Sequence, residues 1–245
     1  MKLFYYYFLF ILLILNACNK EEAPDFLQST GAMTEEIRVL QSFNSLSISD
    51  NIILSIVQDT CNWARVSAGK NLMPEIYTKV ENGHLSIYND NSYNWVRSYK
   101  PKVIIVLGVK KLNYINYLGY EDITCLNTLT TDSFYFETKI GVGHLDFDIN
   151  CNYSSFKIHA GTSDLTIKGT ANSNYIYSFG YGPVEAVNYI CDNNAVHLKN
   201  LASARINVNN DLNATIENKG NIYYKGNPSQ VKTNITGKGQ LIKLD

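Results

Sequence analysis

An excess of either charge is missing from this chain: 21 basic residues stand against 22 acidic ones in a length of 245. Nucleic-acid binders carry a basic excess or a basic stripe, so nucleic acid is not an expected partner. Proline is scarce, with 5 residues, so turns must come from other residues. No CxxC pair occurs, which argues against zinc, and no cofactor is expected. Nor is there an apolar run of the roughly 20 residues that a membrane-spanning helix needs. What is abundant is tyrosine, at 18 residues, together with asparagine and 15 glycines. Tyr, Thr, Ile and Val favour strands, whereas Asn and Gly favour the turns between them. Such a composition predicts many short strands joined by tight turns.

The longest apolar stretch, Leu3 to Leu15, follows the single positive charge of Lys2. It is too short to span and fits the apolar region of a signal peptide. Leu15-Asn16-Ala17-Cys18 comes next. These residues resemble the lipobox of bacterial lipoproteins, in which a small residue precedes an obligatory Cys. The resemblance implies cleavage before Cys18, a diacylglyceryl group on its thiol and acylation of the new amine. Several acyl chains anchor stably where one binds only marginally. An ordinary secretory signal with an incidental Cys is the alternative. Asn19-Lys20-Glu21-Glu22 looks like the export signals of some Bacteroidota surface lipoproteins, or is simply a solvated linker. Residues 19 to 36 contain Pro24, Ser29, Thr30 and Gly31 without periodicity, as a flexible tether would. The expected organisation is a signal peptide over 1–17, a tether over 18–36 and a folded domain over 37–245. Its expected place is exported and lipid-anchored to the outer membrane, facing the cell surface if the acidic pair acts as an export signal.

An internal repeat organises the remainder. A glycine turn followed by an apolar residue recurs at Gly119-Tyr120-Glu121-Asp122-Ile123, Gly141-Val142-Gly143-His144-Leu145, Gly161-Thr162-Ser163-Asp164-Leu165 and Gly180-Tyr181-Gly182-Pro183-Val184. Degenerate copies start at Asn200 and Asn218, and a last one at Gly237. Successive first positions are 22, 20, 19, 20, 18 and 19 residues apart. Alternating residues follow each turn, as in Leu145-Asp146-Phe147-Asp148-Ile149. Alternating stretches also precede each turn: Phe134/Phe136, Phe156/Ile158/Ala160, Tyr175/Tyr177/Phe179, Val196/Leu198, Leu212/Ala214/Ile216 and Val231/Thr233/Ile235. Alternation puts one face in and one out. The phase slips by one between the third and fourth of these stretches. One repeat cannot bury its apolar face alone, but copies stacked at about 4.8 Å join their faces into one core. The expected fold is all-β, a single-stranded parallel β-helix or β-solenoid with coils of about 20 residues. A hairpin-built sandwich, the competing fold, would turn every 8–12 residues or so. Residues 37 to about 110 are less regular and read as the first coils with an irregular N-terminal cap, since solenoid ends need protection.

Asn82-Gly83-His84-Leu85-Ser86-Ile87, Gly161-Thr162-Ser163-Asp164-Leu165-Thr166-Ile167-Lys168-Gly169-Thr170-Ala171 and Gly220-Asn221-Ile222-Tyr223-Tyr224-Lys225-Gly226-Asn227-Pro228 carry a resemblance to a known family. By these pieces the chain resembles the head GIN domain family, described as "putative auto-transporter adhesins". Asn200-Leu201-Ala202-Ser203 departs from the pattern, where a glycine turn is expected. It implies a β-solenoid, a surface role and no catalytic residues to carry over.

Candidate binding residues are Asp146, Asp148, Tyr181, Tyr223 and Tyr224. Asp146 and Asp148 lie on one side of a strand, where paired carboxylates could hold Ca²⁺ or do acid–base work. One coil along, Asp148 meets Lys168 and Glu185 meets Arg205, and opposite charges on adjacent strands are ordinary sheet stabilisation, about 0.2–1 kcal/mol per pair. Tyr120, Tyr181, Tyr223 and Tyr224 fall in or near turns, where rings could stack on sugars, although strands favour Tyr in any case. Cys151 and Cys191 share a phase two coils apart, with Ala171 between them. That separation, about 10 Å, exceeds disulfide reach, so buried thiols are expected. The four histidines are scattered over different coils. The leading reading is a non-enzymatic envelope lipoprotein displaying a solenoid for adhesion to a glycan or surface protein. A polysaccharide-active β-helix enzyme and a purely structural envelope protein are the alternatives. Replacement of Cys18 by Ser is expected to abolish membrane association and palmitate labelling; a mutant that still takes up palmitate refutes the anchor.

Overall fold

The computed structural model describes residues 30–91 and 103–245. The signal segment, Cys18 and the tether as far as residue 29 lie outside them. Seven strands form the N-terminal part: β1 (Met33–Val39), β2 (Ser45–Asp50), β3 (Ile52–Gln58), β4 (Trp63–Gly69), β5 (Ile76–Glu81), β6 (His84–Asn89) and β7 (Val103–Val109). Next come β8 (Tyr114–Gly119), β9 (Ile123–Cys125), β10 (Leu129–Thr130) and β11 (Ser133–Thr138). Four long strands follow, each running round most of a coil: β12 (His144–Ile158), β13 (Asp164–Ser178), β14 (Val184–Leu198) and β15 (Ala204–Ile216). Strands β16 (Ile222–Lys225), β17 (Gln230–Ile235) and β18 (Leu241–Lys243) complete the stack.

The expected solenoid is what these strands build. Every pairing from β8 onward is parallel, and like positions sit in vertical register about one repeat apart. Leu145 pairs with Leu165, Phe156 with Ile176, and Ile176 with Val196. Each long strand bends near its middle, so the coil has two sheet faces. The front face carries the first halves of β12 to β15 with β9, β16 and β18. The back face carries their second halves with β8, β11 and β17. Between the faces lies a continuous apolar interior. Its widest part is filled by Phe134, Phe136, Phe147 and Phe156, whose ring centroids are 5.0 to 6.4 Å apart in tilted pairs. Full burial of each such side chain is worth roughly 1.5–3 kcal/mol.

The phase slip read from the sequence disappears. On the back face the inward residues of β13 are Ile176 and Ser178, in line with Phe156 and Ile158 below and Val196 and Leu198 above. Tyr175, Tyr177 and Phe179 point outward instead. The irregularity is absorbed on the front face, where the β13–β14 register shifts between Thr166 and Gly169 and the β14–β15 register shifts between Ala186 and Ile190. The second shift turns Tyr189 inward. Its hydroxyl, 2.9 Å from Ser154 Oγ, starts a buried polar ladder: Ser154 donates to Asn174 Oδ1 at 2.7 Å, and Asn174 Nδ2 donates to Asn194 Oδ1 at 3.1 Å. Cys151, Ala171 and Cys191 stack in the expected column, with both thiols free, and burial raises the Cys191 thiol well above its ordinary value.

The N-terminal part breaks the simple stacking order. Strands β6 and β7 lie on one side of β2 and β3, and β8 and β9 on the other. The coil made first is therefore an inner layer. The outer side of β6–β7 is closed by antiparallel strands, β5 along β6 and β4 along β7, with β1 along β4. Strand β1 starts at Met33, within the stretch expected to be tether, and pairs from Met33–Gly69 to Val39–Trp63. Pairing with β4, plus the Arg38 Nη1 hydrogen bond to the Ile76 carbonyl at 2.6 Å, outweighs its weak strand pattern.

Glycines clear the corner between faces. Gly141 and Gly161 form a parallel bridge, and Tyr181 N donates to the Gly161 carbonyl at 3.0 Å, so Gly141, Gly161 and Gly180 line one edge. Gly161 has φ +104°, and a Cβ there would run into the Gly141 carbonyl oxygen. Gly161→Ala is expected to cost about 2 kcal/mol or more, from backbone strain plus steric clash. Gly83→Ala, with φ +77° and open space around its Cβ, should cost less. Urea unfolding of both variants checks the difference; equal losses would contradict the corner packing.

Candidate functional site: a groove on the back face

The sequence-derived candidates do not gather in one place. Asp146 and Asp148 project from the front face of β12, where Asp148 pairs with Lys168 in register and Lys168 Nζ lies 4.0 Å from Asp146 Oδ1. Higher in the column, Glu185 Oε1 and Arg205 Nη1 are 3.7 Å apart. The Arg205 guanidinium sits 5.7 Å over the Tyr223 ring, and Asn221 Nδ2 donates to the Tyr223 hydroxyl at 3.1 Å. The front-face column is thus a ladder of opposite charges closed by a cation–π contact, each pair exposed and individually weak. Tyr224 shares the inward phase of Ile222 and packs against the core. Tyr181 stands on the glycine corner, 65% exposed, on its own edge of the molecule.

The back face holds what those candidates lack, a concavity. Outward positions of β12 to β15 and β17 stack in columns two residues apart along the strands. One column runs Tyr153, Ser173, Asn193, Asp211 and Gln230; the next runs Tyr135, Ser155, Tyr175, Ala195, Asn213 and Lys232. Large and small residues alternate in the second column. Between the Tyr153–Tyr175 wall and Lys232, Ala195 leaves a groove of about 410 Å³ crossing several coils. This is within the roughly 300–1,000 Å³ of small-molecule sites. Tyr135 and Tyr153 pack at 5.7 Å between centroids and extend the aromatic wall. Burial, then the adjacent Tyr177 and Tyr153, raises the Tyr175 phenol, so it stays a neutral donor. Beneath the groove the polar ladder ends at Asn194, because its neighbour in the next coil is Leu212. Asn194 Nδ2 is buried without a hydrogen-bond partner.

Two further outward columns lie beside the groove, Glu137, Tyr177 and His197 in one and His159, Lys199 and Glu217 in the next. His159 Nε2 is 2.8 Å from Glu137 Oε1, and His197 Nε2 is 2.6 Å from Glu217 Oε1. Tyr177 lies between the two imidazoles, at 5.4 and 5.3 Å. Lys199 Nζ contacts Glu217 Oε2 at 2.8 Å. Among the described residues, no group of three or more His, Cys, Asp or Glu side chains is placed to hold a metal ion. Sequence reading missed the groove because Tyr175 and Tyr177 alternate and pass for an inward apolar pair. The available signal was Ile176, which stands 20 residues from Phe156 and 20 from Val196.

A family model described as "Putative auto-transporter adhesin, head GIN domain" matches residues 42–228. Among solved structures, a "putative adhesin" from Bacteroides fragilis superposes with a TM-score of 0.81 at 24% identity, covering 87% of this chain and 97% of its own. A "putative lipid binding protein" from Parabacteroides distasonis gives 0.66 at 18% identity, covering 89% and 98%. A "putative adhesin" from the same species gives 0.63 at 19%, covering 87% and 98%. These likenesses are of fold. None of the curated proteins matches the chain.

The Glu217 cluster generates a pH prediction. Hydrogen bonds from Lys199 and then His197 hold the Glu217 carboxyl below its ordinary 4.5. A carboxyl depressed in the folded state contributes stability above its unfolded value and loses it as pH falls through the folded one. Glu217→Gln should therefore flatten the acid-side fall in Tm below about pH 4.5 and, because Glu217 also raises Lys199 above its ordinary 10.5, soften the fall on the far alkaline side. An unaltered acid limb in a thermal-melt series would contradict the contact.

Proposed function

Because the chain belongs to the head GIN domain family, we propose that it is a non-enzymatic cell-envelope lipoprotein that displays its solenoid for adhesion. The observation that carries this reading is the outward back face, where tyrosines and amides surround a groove on a rigid parallel ladder. Contact residues fixed on ladder strands lose little freedom on binding, which favours recognition. The groove offers one carboxylate, Asp211, and one ammonium, Lys232. Glycoside hydrolysis uses two acids flanking the scissile bond. That count favours binding over the polysaccharide-active alternative.

The family assignment supports a place in the envelope. Cys18 is the proposed attachment point, with the residues before it removed as a signal peptide and a short tether leading to β1. Membrane contact is through the acyl chains, and the partner on the other side is a glycan or a surface protein. A lipid-binding role, suggested by the name of the Parabacteroides relative, is less favoured. The interior here is filled by phenylalanine, and the groove carries Asn193, Asp211, Asn213, Gln230 and Lys232 among its lining residues.

The full chain, displayed on liposomes through its anchor, is expected to adhere to mucin- or cell-coated surfaces. It should give no unsaturated or shortened products from acidic or neutral polysaccharides, with or without Ca²⁺. Product formation would replace this reading with the enzyme; absent adherence would leave the structural envelope role.

A further inference from the structure

We propose that the back-face groove is a subsite for a neutral saccharide unit, with Tyr153 and Tyr175 as the stacking wall and Asn193, Asp211 and Asn213 as hydroxyl partners. This rests on the adhesion reading and narrows its partner to one chemical class.

Charge comes first. Asp211 and Lys232 are the charged side chains of the groove, and their signs cancel. A uronate or sialate ligand would need an excess of Lys or Arg, as anion sites generally do. A cation would need several carboxylates. The local balance suits a ligand without net charge.

Hydrogen-bonding capacity comes second. A vicinal diol presents a donor and acceptors side by side. An amide side chain offers both complements at once, and a carboxylate accepts from two hydroxyls. Asn193, Asp211 and Asn213 supply two amides and a carboxylate around the opening. Asn193 is already held from below, donating to the Asn172 carbonyl at 3.3 Å, so its oxygen remains to accept.

Shape comes third. The face of a pyranose is a patch of C–H groups, and an aromatic wall beside amides matches a ring that is apolar on its faces and polar at its rim. Tyr contributes contact area at small conformational cost, and its phenol can donate at the ring edge. Ala195 sets the depth. A larger residue at this position in the column would fill the space between Tyr175 and Asn213.

The test uses the full chain in detergent and a printed array of neutral (hexose and N-acetylhexosamine) and acidic (uronate and sialate) oligosaccharides, followed by calorimetry with the strongest binder. The expected result is binding confined to neutral glycans, weakened about tenfold or more by Tyr175→Ala and by Asn213→Ala. Ala195→Trp should abolish it by filling the groove, whereas Tyr181→Ala, on the distant glycine corner, should not change it. Asn213 is exposed, so its variant decides the matter if Tyr175→Ala fails to fold. Binding only to acidic glycans, binding insensitive to Asn213→Ala and Ala195→Trp, or no binding to any glycan would each overturn the proposal. Adherence measured in parallel separates the two readings. Adherence without glycan binding sinks the saccharide subsite alone and points to a protein partner, and loss of adherence sinks the broader function.

Discussion

Parallel backbone hydrogen bonding between successive coils is the constraint on which the rest of the molecule depends. It holds the strands about 4.8 Å apart and fixes every side chain above its counterpart one coil away. The interior is apolar because inward positions can only meet inward positions. The corner is glycine because carbonyls of one coil press against the α-carbon of the next, as Gly141 does at Gly161. Even the polar interior obeys the same rule. Ser154, Asn174 and Asn194 satisfy one another vertically, and the chain of bonds stops where Leu212 takes the next position.

The two faces use this vertical order differently. On the front face the order is spent on charge: Asp148 over Lys168 and Glu185 over Arg205, with Tyr223 at the end. On the back face it produces relief. Alternation of Tyr135, Ser155, Tyr175 and Ala195 in one column makes ridges and notches that a uniform column would not have. A flat lattice thereby acquires a concave feature without any loop.

Much of the architecture was legible because stacking demands like residues at a nearly constant interval. The glycine turns, the column of Cys151, Ala171 and Cys191 and the pairing of Asp148 with Lys168 all follow from that interval. Other features were hidden for physical reasons. Tyr is both a strand former and a partly apolar side chain, so outward Tyr175 and Tyr177 looked like core, while Tyr224 looked like surface and packs inward. The long strands keep one period on the back face and shift it on the front, through bulges at Gly169 and Tyr189 that no local pattern marks. Strand β1 owes its existence to β4, its partner from Met33–Gly69 to Val39–Trp63, and a partner-dependent strand leaves little local trace. Glu137 with His159 and His197 with Glu217 sit one coil apart, so the same interval could have found them.

The inner position of β2 and β3 has a consequence for how the molecule is assembled. In a simple repeat stack each turn contacts only its neighbours in sequence. Here the earliest coil exposes two open edges, and later segments dock on opposite sides of it: β6 and β7 outward, then β8 and β9 in the other direction. An emerging polypeptide must therefore hold an unprotected template until residue 125 is available. Unpaired strand edges invite association with other chains. The interval between synthesis of β3 and docking of β9 is the point at which a nascent copy is most vulnerable to aggregation.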